Sequence, residues 1–316
     1  MARQVPTPAP ATGGARRVGA SQGGFKGIAA NVALALDTWV AQQPAASVRG
    51  GSISDGYRWE SGAGTLFVKV AGAGSASMFA AEAEGLVELA QAGAVRVPQV
   101  FAHGLAGEQA YLAMEWITLR PLGAGAQRLL GEQLARQHRC TAERHGWRRD
   151  NTIGRTPQVN TWCDDWQQFS IAHRLNFQFE LAQRNGHGGR LQSRGAELLD
   201  QVPALLDGHQ PLPALLHGDL WGGNAAADPG GLPVIFDPSV YYGDREADLA
   251  MTRLFGGFGA AFHGAYEAAW PLPAGAAQRV DLYNLYHVLN HLNLFGAGYL
   301  GQAMSLIDAL LSRTGR

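Results

Sequence analysis

A short part of the chain combines two acidic residues and an amide residue next to apolar runs that predict buried strands. In LLHGDLWGGN, Asp219 follows the apolar pair Leu215–Leu216, and Asn224 comes five residues after Asp219. Asp237 ends a second apolar run, VIF, thirteen residues after Asn224. A carboxylate can orient and deprotonate an attacking hydroxyl, while amide and carboxylate oxygens bind Mg²⁺ between phosphates. The ordered set is typical of phosphoryl transfer, whereas each residue alone is also an ordinary turn residue.

A lysine inside an apolar strand is the second chemical signal. Only two of the 25 basic residues are lysines, and one of them, Lys69, lies in TLFVKV. A buried and unpaired ammonium group is costly, so Lys69 must meet a carboxylate or a ligand anion, unless it snorkels from an edge strand to solvent. Glu82 and Glu84 on the next predicted helix point about 200° apart. We expect Glu82 to face Lys69, because it can share a buried side with Phe79 and Leu86.

No standard phosphate-binding motif accompanies these residues. Neither lysine follows a glycine, as in a Walker A sequence, and no GxGxxG stands between the first predicted strands. The turn RGGSISDG takes that place, and Gly51 and Ser52 offer a backbone N–H and a hydroxyl that can donate to phosphates. Ordinary hairpin turns have a similar composition.

Composition excludes several classes of protein. Charged residues make up 16% of the 316 residues, which excludes a disordered chain, and 25 basic against 26 acidic residues exclude a bulk positive field that would attract nucleic acid or anionic membranes. Cys140 and Cys163 lack metal-site spacing and predict reduced thiols in a cytoplasmic protein. The uncharged stretch 282–307 contains histidine and asparagine, so it predicts a buried helical hairpin rather than a membrane span.

The apolar patterns predict an α+β chain with a small sheet-rich lobe followed by a larger, mainly helical lobe. Residues 1–24 predict a flexible arm without a signal peptide, 25–117 the first lobe and 118–316 the second. The predicted elements of the first lobe are helices at 25–42 and 78–90 and strands at 47–53, 57–61, 65–70 and 111–117.

In this order, the residues resemble the protein-kinase-like fold in its aminoglycoside phosphotransferase and choline kinase branch, with HGDxxxxN as the catalytic loop and IFDP in place of DFG. More specifically, the chain resembles the fructosamine kinase, or ketosamine 3-kinase, family from about Phe25 to its C-terminus. The motifs that carry this resemblance are GGSISDG, MFAAEAEGL, GWRRDNTIGRTPQVNTWCDDWQQF, HGDLWGGN, DPSVYYGDREADLAMTRLFGGF and LYHVLNHLNLFG.

The resemblance implies ATP and Mg²⁺ as cofactors and a role for each matching residue. It makes Asp219 the catalytic base, Asn224 and Asp237 the magnesium ligands, and Lys69, paired with Glu82, the phosphate-binding lysine. The backbone of Glu115, Trp116 and Ile117 would hold adenine, and Gly51 and Ser52 belong to the phosphate loop, in which the family often has a cysteine instead of Ser52. Candidate sugar contacts are Trp221, Tyr242, Asp244 and His291, while Asp248 is interpreted as a brace for the catalytic loop. The run 147–169 either shapes the pocket or is a loop fixed by aromatic packing.

The implied reaction moves the γ-phosphate of ATP to the C3 hydroxyl of a ketosamine, a sugar joined to an amine by glycation. The acceptors would be ribulosamine, erythrulosamine or fructosamine adducts of small amines or of protein lysines, so that the reaction repairs glycated molecules. The alternatives are a small-molecule kinase of the same fold, of aminoglycoside or choline type, and a pseudokinase that binds nucleotide without turnover. The sequence leaves the oligomeric state open.

Overall fold

An antiparallel five-stranded sheet forms the first part of the computed structural model, which describes residues 22–48 and 54–314. Its spatial order is β1-β2-β3-β5-β4, with β1 (Ala46–Val48), β2 (Asp55–Ser61), β3 (Gly64–Gly72), β4 (Val100–Ala106) and β5 (Gln109–Glu115). Lys69 on β3 pairs with Gly56 of β2 on one side and with Leu112 of β5 on the other. Lys69 therefore lies on an interior strand, which excludes the alternative that it snorkels from an edge.

Two helices cover the two faces of this sheet, and alternation along β3 decides which side chain meets which helix. Leu66 and Val68 face one core cluster, which they share with residues of α1 (Gln22–Leu36). Lys69 points to the opposite face, where α2 (Ala76–Gln91) buries Phe79 and Leu86. The strand thus places an ammonium group against a helix that carries acidic residues.

The predicted helix 25–42 is wrong in its last turn. The helix ends at Leu36, and Asp37 adopts a positive φ of 50°, which reverses the chain. Val40 then forms an isolated bridge with Ser61 and joins the core of the sheet. Val40 is apolar because it is buried next to the sheet, and its position four residues after Leu36 therefore looked like the continuation of an apolar helix face.

The strand predictions were right in position and incomplete in number. Strand β4 was not predicted, because His103 and Gly104 interrupt its apolar alternation. The strand predicted at 111–117 ends at Glu115, and the one predicted at 47–53 is described only as β1, because residues 49–53 lie outside the described residues.

The second part of the chain is mainly helical, in agreement with the predicted α+β class. Its helices are α3 (Ala124–Gln137), α4 (Trp166–Ser170), a π-helical turn (Ile171–Asn176), α5 (Phe177–Arg184), α6 (Arg190–Leu205), α7 (Arg245–Leu254), α8 (Ala260–Ala269), α9 (Ala276–Phe295) and α10 (Leu300–Arg313). Three short antiparallel pairs join β6 (Asn151–Ile153) to β7 (Thr156–Gln158), β8 (Ala214–Leu216) to β11 (Tyr241–Gly243), and β9 (Ala225–Ala227) to β10 (Pro233–Ile235). Strands of these pairs lie directly before or after the loops that contain Asp219, Asn224 and Asp237.

Helices α9 and α10 form the buried hairpin predicted from the uncharged stretch, and both contribute to the large core cluster. Within the described residues, no helix combines the length and apolarity needed to cross a membrane.

Candidate active site

The loop after β8 is held by a buried carboxylate of α7. All three residues of β8 are buried. Asp248 accepts hydrogen bonds from the backbone N–H groups of His217 at 2.7 Å and of Gly218 at 2.9 Å, and it also contacts Nε2 of His138 at 3.2 Å. Gly218 has a φ of 82°, and a Cβ there would lie 2.0 Å from the backbone oxygen of Ser239. Asp248 is thus the brace that was expected, and only glycine fits at Gly218.

This loop presents Asp219 together with Asn224. The amide Nδ2 of Asn224 donates to Oδ2 of Asp219 at 3.1 Å and to its backbone oxygen at 2.9 Å. Burial, reinforced by the negative charge of Asp237, raises the pKa of Asp219 to about 7. A carboxylate whose pKa lies near neutrality is suited to accept a proton from a substrate hydroxyl.

Lys69 joins the first part of the chain to the end of β10. Its Nζ lies 2.6 Å from Oε1 of Glu82 and 2.7 Å from Oδ1 of Asp237. Although burial acts to lower the pKa of Lys69, the carboxylates of Asp237 and Glu82 raise it above its usual value, so the ammonium stays charged. Glu84 points elsewhere and pairs with Arg149 at 2.6 Å. Glu82 is therefore the partner, as helical geometry predicts.

The catalytic candidates line one cavity of about 530 Å³, whereas Asp248 and Glu84 lie outside it. The cavity brings together predicted site residues that are far apart in the sequence: Lys69, Glu82, Glu115, Trp116, Ile117, Asp219, Trp221, Asn224, Asp237 and His291. Apolar side chains such as Phe67 and Met114 complete one end of it, beside the segment that follows β5. Gly51 and Ser52, the predicted phosphate-loop residues, lie outside the described residues.

The segment after β5 has free backbone groups where adenine is expected. The N–H of Glu115 donates to the backbone oxygen of Gln99 at 2.8 Å, and its carboxylate pairs with Arg96 at 2.6 Å. In the described part of the chain, no backbone hydrogen bond engages Trp116 or Ile117. The two residues can therefore offer donors and acceptors to a flat heterocycle in the cavity.

Two oxygens in the cavity fit a magnesium ion. Asp237 uses Oδ1 for Lys69, and no hydrogen bond within the described residues engages its Oδ2. Asn224 donates through Nδ2, which leaves its carbonyl Oδ1 without a partner in the same part of the chain. Carboxylate and amide oxygens are the hard ligands that Mg²⁺ prefers, so Asn224 and Asp237 suit the role predicted for them.

Two of the four candidate sugar contacts line the cavity. Trp221 lies within the catalytic loop and is 38% exposed. His291 donates from Nδ1 to the backbone oxygen of His287 at 2.8 Å, which leaves Nε2 as an acceptor, and burial lowers the pKa of His291. Phe255, which sequence reasoning missed, contacts both rings, with centroid distances of 6.3 Å to Trp221 and 4.6 Å to His291.

Tyr242 and Asp244, the other two candidates, do not line this cavity, and each has hydrogen-bond partners elsewhere. The hydroxyl of Tyr242 donates to Glu88 at 2.8 Å. Asp244 is the N-cap of α7, and it also binds His209 at 2.6 Å and the hydroxyl of Tyr283. An aspartate directly before a helical run is a known N-cap signal, so the sequence contained the evidence for this structural role.

The run 147–169 combines both of its predicted roles. Trp147, Trp166 and Phe169 are buried in the core. Between them, the hairpin of β6 and β7 contributes Asn151 to Arg155 to the cavity wall. Sequence reasoning did not single out any cavity residue of this hairpin, although the segment itself was singled out for its unusual polarity.

Similarity to known proteins agrees with this geometry. The family model described as fructosamine kinase matches residues 25–313. A probable ketoamine kinase of Synechocystis sp. is 45% identical, with 84% of this chain and 89% of that protein covered, and the chloroplastic protein-ribulosamine 3-kinase of Oryza sativa subsp. indica is 41% identical, with 84% and 78% covered.

Solved structures extend the agreement to the fold. The crystal structure of a putative fructosamine-3-kinase from Haemophilus somnus superposes with a TM-score of 0.84 at 26% identity, and covers 92% of this chain and 98% of its own. A thermostable mutant of the aminoglycoside phosphotransferase APH(4)-Ia, at 14% identity and a TM-score of 0.62 over 91% and 100% of the two chains, shares the fold alone. The predicted protein-kinase-like fold is therefore confirmed, and the chain belongs to the fructosamine kinase family.

Proposed function

We propose that the protein is an ATP-dependent ketosamine 3-kinase that phosphorylates the C3 hydroxyl of glycated amines. The observation that carries this proposal is the convergence of Asp219, Asn224, Asp237 and Lys69 on one cavity in a chain of this family. ATP is the phosphate donor that a kinase of this family implies. Ribulosamines are the preferred acceptors in this proposal, since a relative that is 41% identical is named a protein-ribulosamine 3-kinase.

The cavity residues have separate roles in the proposed reaction. Asp219 accepts the proton of the C3 hydroxyl as its oxygen attacks the γ-phosphorus of ATP, and Asn224 keeps the carboxylate of Asp219 in place. Lys69, which Glu82 orients, neutralises phosphate oxygens. Asn224 and Asp237 would hold Mg²⁺, which supplies positive charge between the phosphates.

The product explains how a kinase can repair glycation. A phosphate at C3 lies β to the enamine that forms across C1 and C2 of the sugar. Its elimination expels inorganic phosphate, and hydrolysis of the resulting imine then frees the amine, so no further enzyme is required. The acceptor amine is either a small molecule or a protein lysine. A cytoplasmic location fits the free thiols of Cys140 and Cys163.

A panel of acceptors tests the proposal. ADP formation is measured with Mg²⁺, ATP and ribulosyl-lysine, fructosyl-lysine, kanamycin or choline, beside the Asp219→Asn variant as a control for contaminating kinases. We expect turnover with the two ketosamines, faster with ribulosyl-lysine, and none in the variant. Turnover with kanamycin or choline alone would instead establish the second function, and ATP binding without turnover on any acceptor would establish a pseudokinase.

A further inference from the structure

The cavity contains an arginine, Arg155, whose charge is not neutralised by any group in the described part of the chain. Lys69 and Arg155 both line the cavity. Lys69 is held by two carboxylates at 2.6 Å and 2.7 Å, whereas Arg155 has no hydrogen bond or ion pair to any residue that the structure describes. Many surface arginines of this chain pair with acidic residues, as Arg149 does with Glu84. An unpaired guanidinium beside the reaction centre is therefore available to a ligand.

The hairpin that carries Arg155 is anchored at several points. Gly154, with a φ of 64°, and Arg155 form its two-residue turn, and glycine at the first turn position suits such a hairpin. Asn151 donates to the backbone oxygen of Val240 at 2.8 Å, and Ser239 donates from its hydroxyl to the backbone oxygen of Thr152, also at 2.8 Å. Ser239 and Val240 come two and three residues after Asp237, one of the predicted magnesium ligands. These bonds hold the first strand of the hairpin, and with it the turn that carries Arg155, beside the segment that contains Asp237.

The exposure of Arg155 indicates which part of a ligand it meets. Arg155 is exposed to solvent at the turn, whereas Asp219, the base, is partly buried. With the C3 hydroxyl of a ketosamine at Asp219, the sugar would occupy the cavity and its amine half would extend towards the opening. The carboxylates of Glu82 and Asp237, which also line the cavity, are both paired with Lys69. The guanidinium of Arg155 is therefore available to bind an anionic group on the amine half of the acceptor.

We propose that Arg155 is a specificity-determining residue that binds a carboxylate on the amine half of the ketosamine, and this inference rests on the function proposed above. The planar guanidinium group matches a carboxylate in a two-pronged hydrogen-bonded geometry, which a lysine cannot reproduce. Two kinds of acceptor can supply this carboxylate. In a glycated free amino acid it is the α-carboxylate, and in a glycated protein it is an acidic side chain near the glycated lysine.

A matched pair of acceptors tests this role. The first acceptor is ribulosyl-Nα-acetyl-lysine with a free α-carboxylate, and the second is its carboxamide, which has the same shape without the charge. Wild-type protein is compared with Arg155→Ala, with Arg155→Lys and with Arg136→Ala, which removes an exposed arginine that does not line the cavity. A short peptide with glutamate beside a ribulosyl-lysine, and its glutamine counterpart, separate the two sources of carboxylate.

In the Arg155→Ala variant, we expect KM for the carboxylate acceptor to rise about tenfold, as the loss of a charge-assisted hydrogen bond implies, while KM for the carboxamide and for ATP stays within about twofold. Arg155→Lys should restore part of the difference, and Arg136→Ala should match wild type. A preference of the wild type for the glutamate peptide over its glutamine counterpart that disappears in Arg155→Ala would extend the role to protein acceptors.

Two results would overturn the inference while the proposed function stands. If Arg155→Ala lowers kcat equally with both lysine acceptors, Arg155 acts on the transferred phosphate rather than on the acceptor carboxylate. If Arg155→Ala changes neither acceptor, the residue has no role in recognition. If wild-type protein phosphorylates neither acceptor, the proposed function itself fails, and this inference fails with it.

Discussion

Asn224 donates from its amide Nδ2 to Oδ2 of Asp219 at 3.1 Å, and the same nitrogen lies 2.9 Å from the backbone oxygen of Asp219. One side chain thus fixes both the base and the loop that carries it. The carbonyl oxygen of the same amide remains for a metal ion, so Asn224 links proton transfer to charge neutralisation.

Substitution of Asp219 by asparagine should remove the base and leave the cavity intact. We expect kcat to fall by about 10²–10⁴, the usual contribution of a general base, with little change in ATP affinity. Steady-state kinetics and a direct nucleotide-binding measurement check this prediction. Wild-type turnover in Asp219→Asn would contradict the assignment.

The pairing of Lys69 can be tested with two neighbouring glutamates. Glu82→Gln removes a buried partner of Lys69, so we expect kcat/KM for ATP to fall by about tenfold or more, because the lysine loses its orientation. Glu84→Gln is the matched control on the same helix, since Glu84 pairs with Arg149 and does not line the cavity. The kcat/KM of this variant should stay within about twofold of wild type. Equal losses in both variants would show that the effect comes from disturbing the helix.

Gly218→Ala should damage the catalytic loop through a clash with the backbone. The new Cβ would lie 2.0 Å from the oxygen of Ser239, in addition to the strain of a positive φ. We expect a loss of about 3 kcal/mol or more in unfolding free energy and a large loss of activity. Gly231→Ala has a similar φ of 85° but open space around its Cβ, so it should cost only about 1–2 kcal/mol in denaturant unfolding. Comparable costs for both variants would contradict the steric argument.

The periodicity of side chains along strands and helices predicted those contacts that depend on regular secondary structure. The alternation of β3 and the 100° step of α2 were enough to place Glu82, and not Glu84, opposite Lys69. Periodicity gave no information on Arg155, because that residue reaches the cavity through a hairpin whose anchors, Val240 and Ser239, lie more than eighty residues away. Contacts of that kind depend on tertiary packing that no local pattern records.

Two of the candidate sugar contacts, Tyr242 and Asp244, lie apart from the cavity in the structure. In the sequence, they follow Asp237 by only five and seven residues. In the structure, β11 and the start of α7 lead the chain away from the cavity, and both side chains complete other hydrogen-bond networks. The N-cap pattern was the local signal that separates Asp244 from the catalytic residues.

Buried neutral histidines should make the protein less stable in acid. Burial lowers the pKa of His287 to about 3 and that of His145 and His263 to about 4. Between pH 6.5 and about 4, the unfolded chain binds protons that the folded protein does not, so the unfolding free energy falls as the pH falls.

His287→Gln should weaken this pH dependence. At pH 5, a single histidine of this kind costs about 2 kcal/mol relative to neutral pH. Urea unfolding at pH 7 and pH 5 measures the difference for each protein, and any loss of packing common to both pH values cancels. An identical difference in wild type and variant would exclude a contribution from His287.

The position of the transferred phosphate distinguishes a ketosamine 3-kinase from a kinase that acts on another hydroxyl. Ribulosyl-lysine is incubated with the protein, Mg²⁺ and ATP, and ³¹P–¹H correlation NMR identifies the phosphorylated carbon. We expect phosphate at C3, followed by its loss as inorganic phosphate together with release of free lysine. Phosphate on another carbon, or a stable product that retains the amine, would contradict the assignment as a ketosamine 3-kinase.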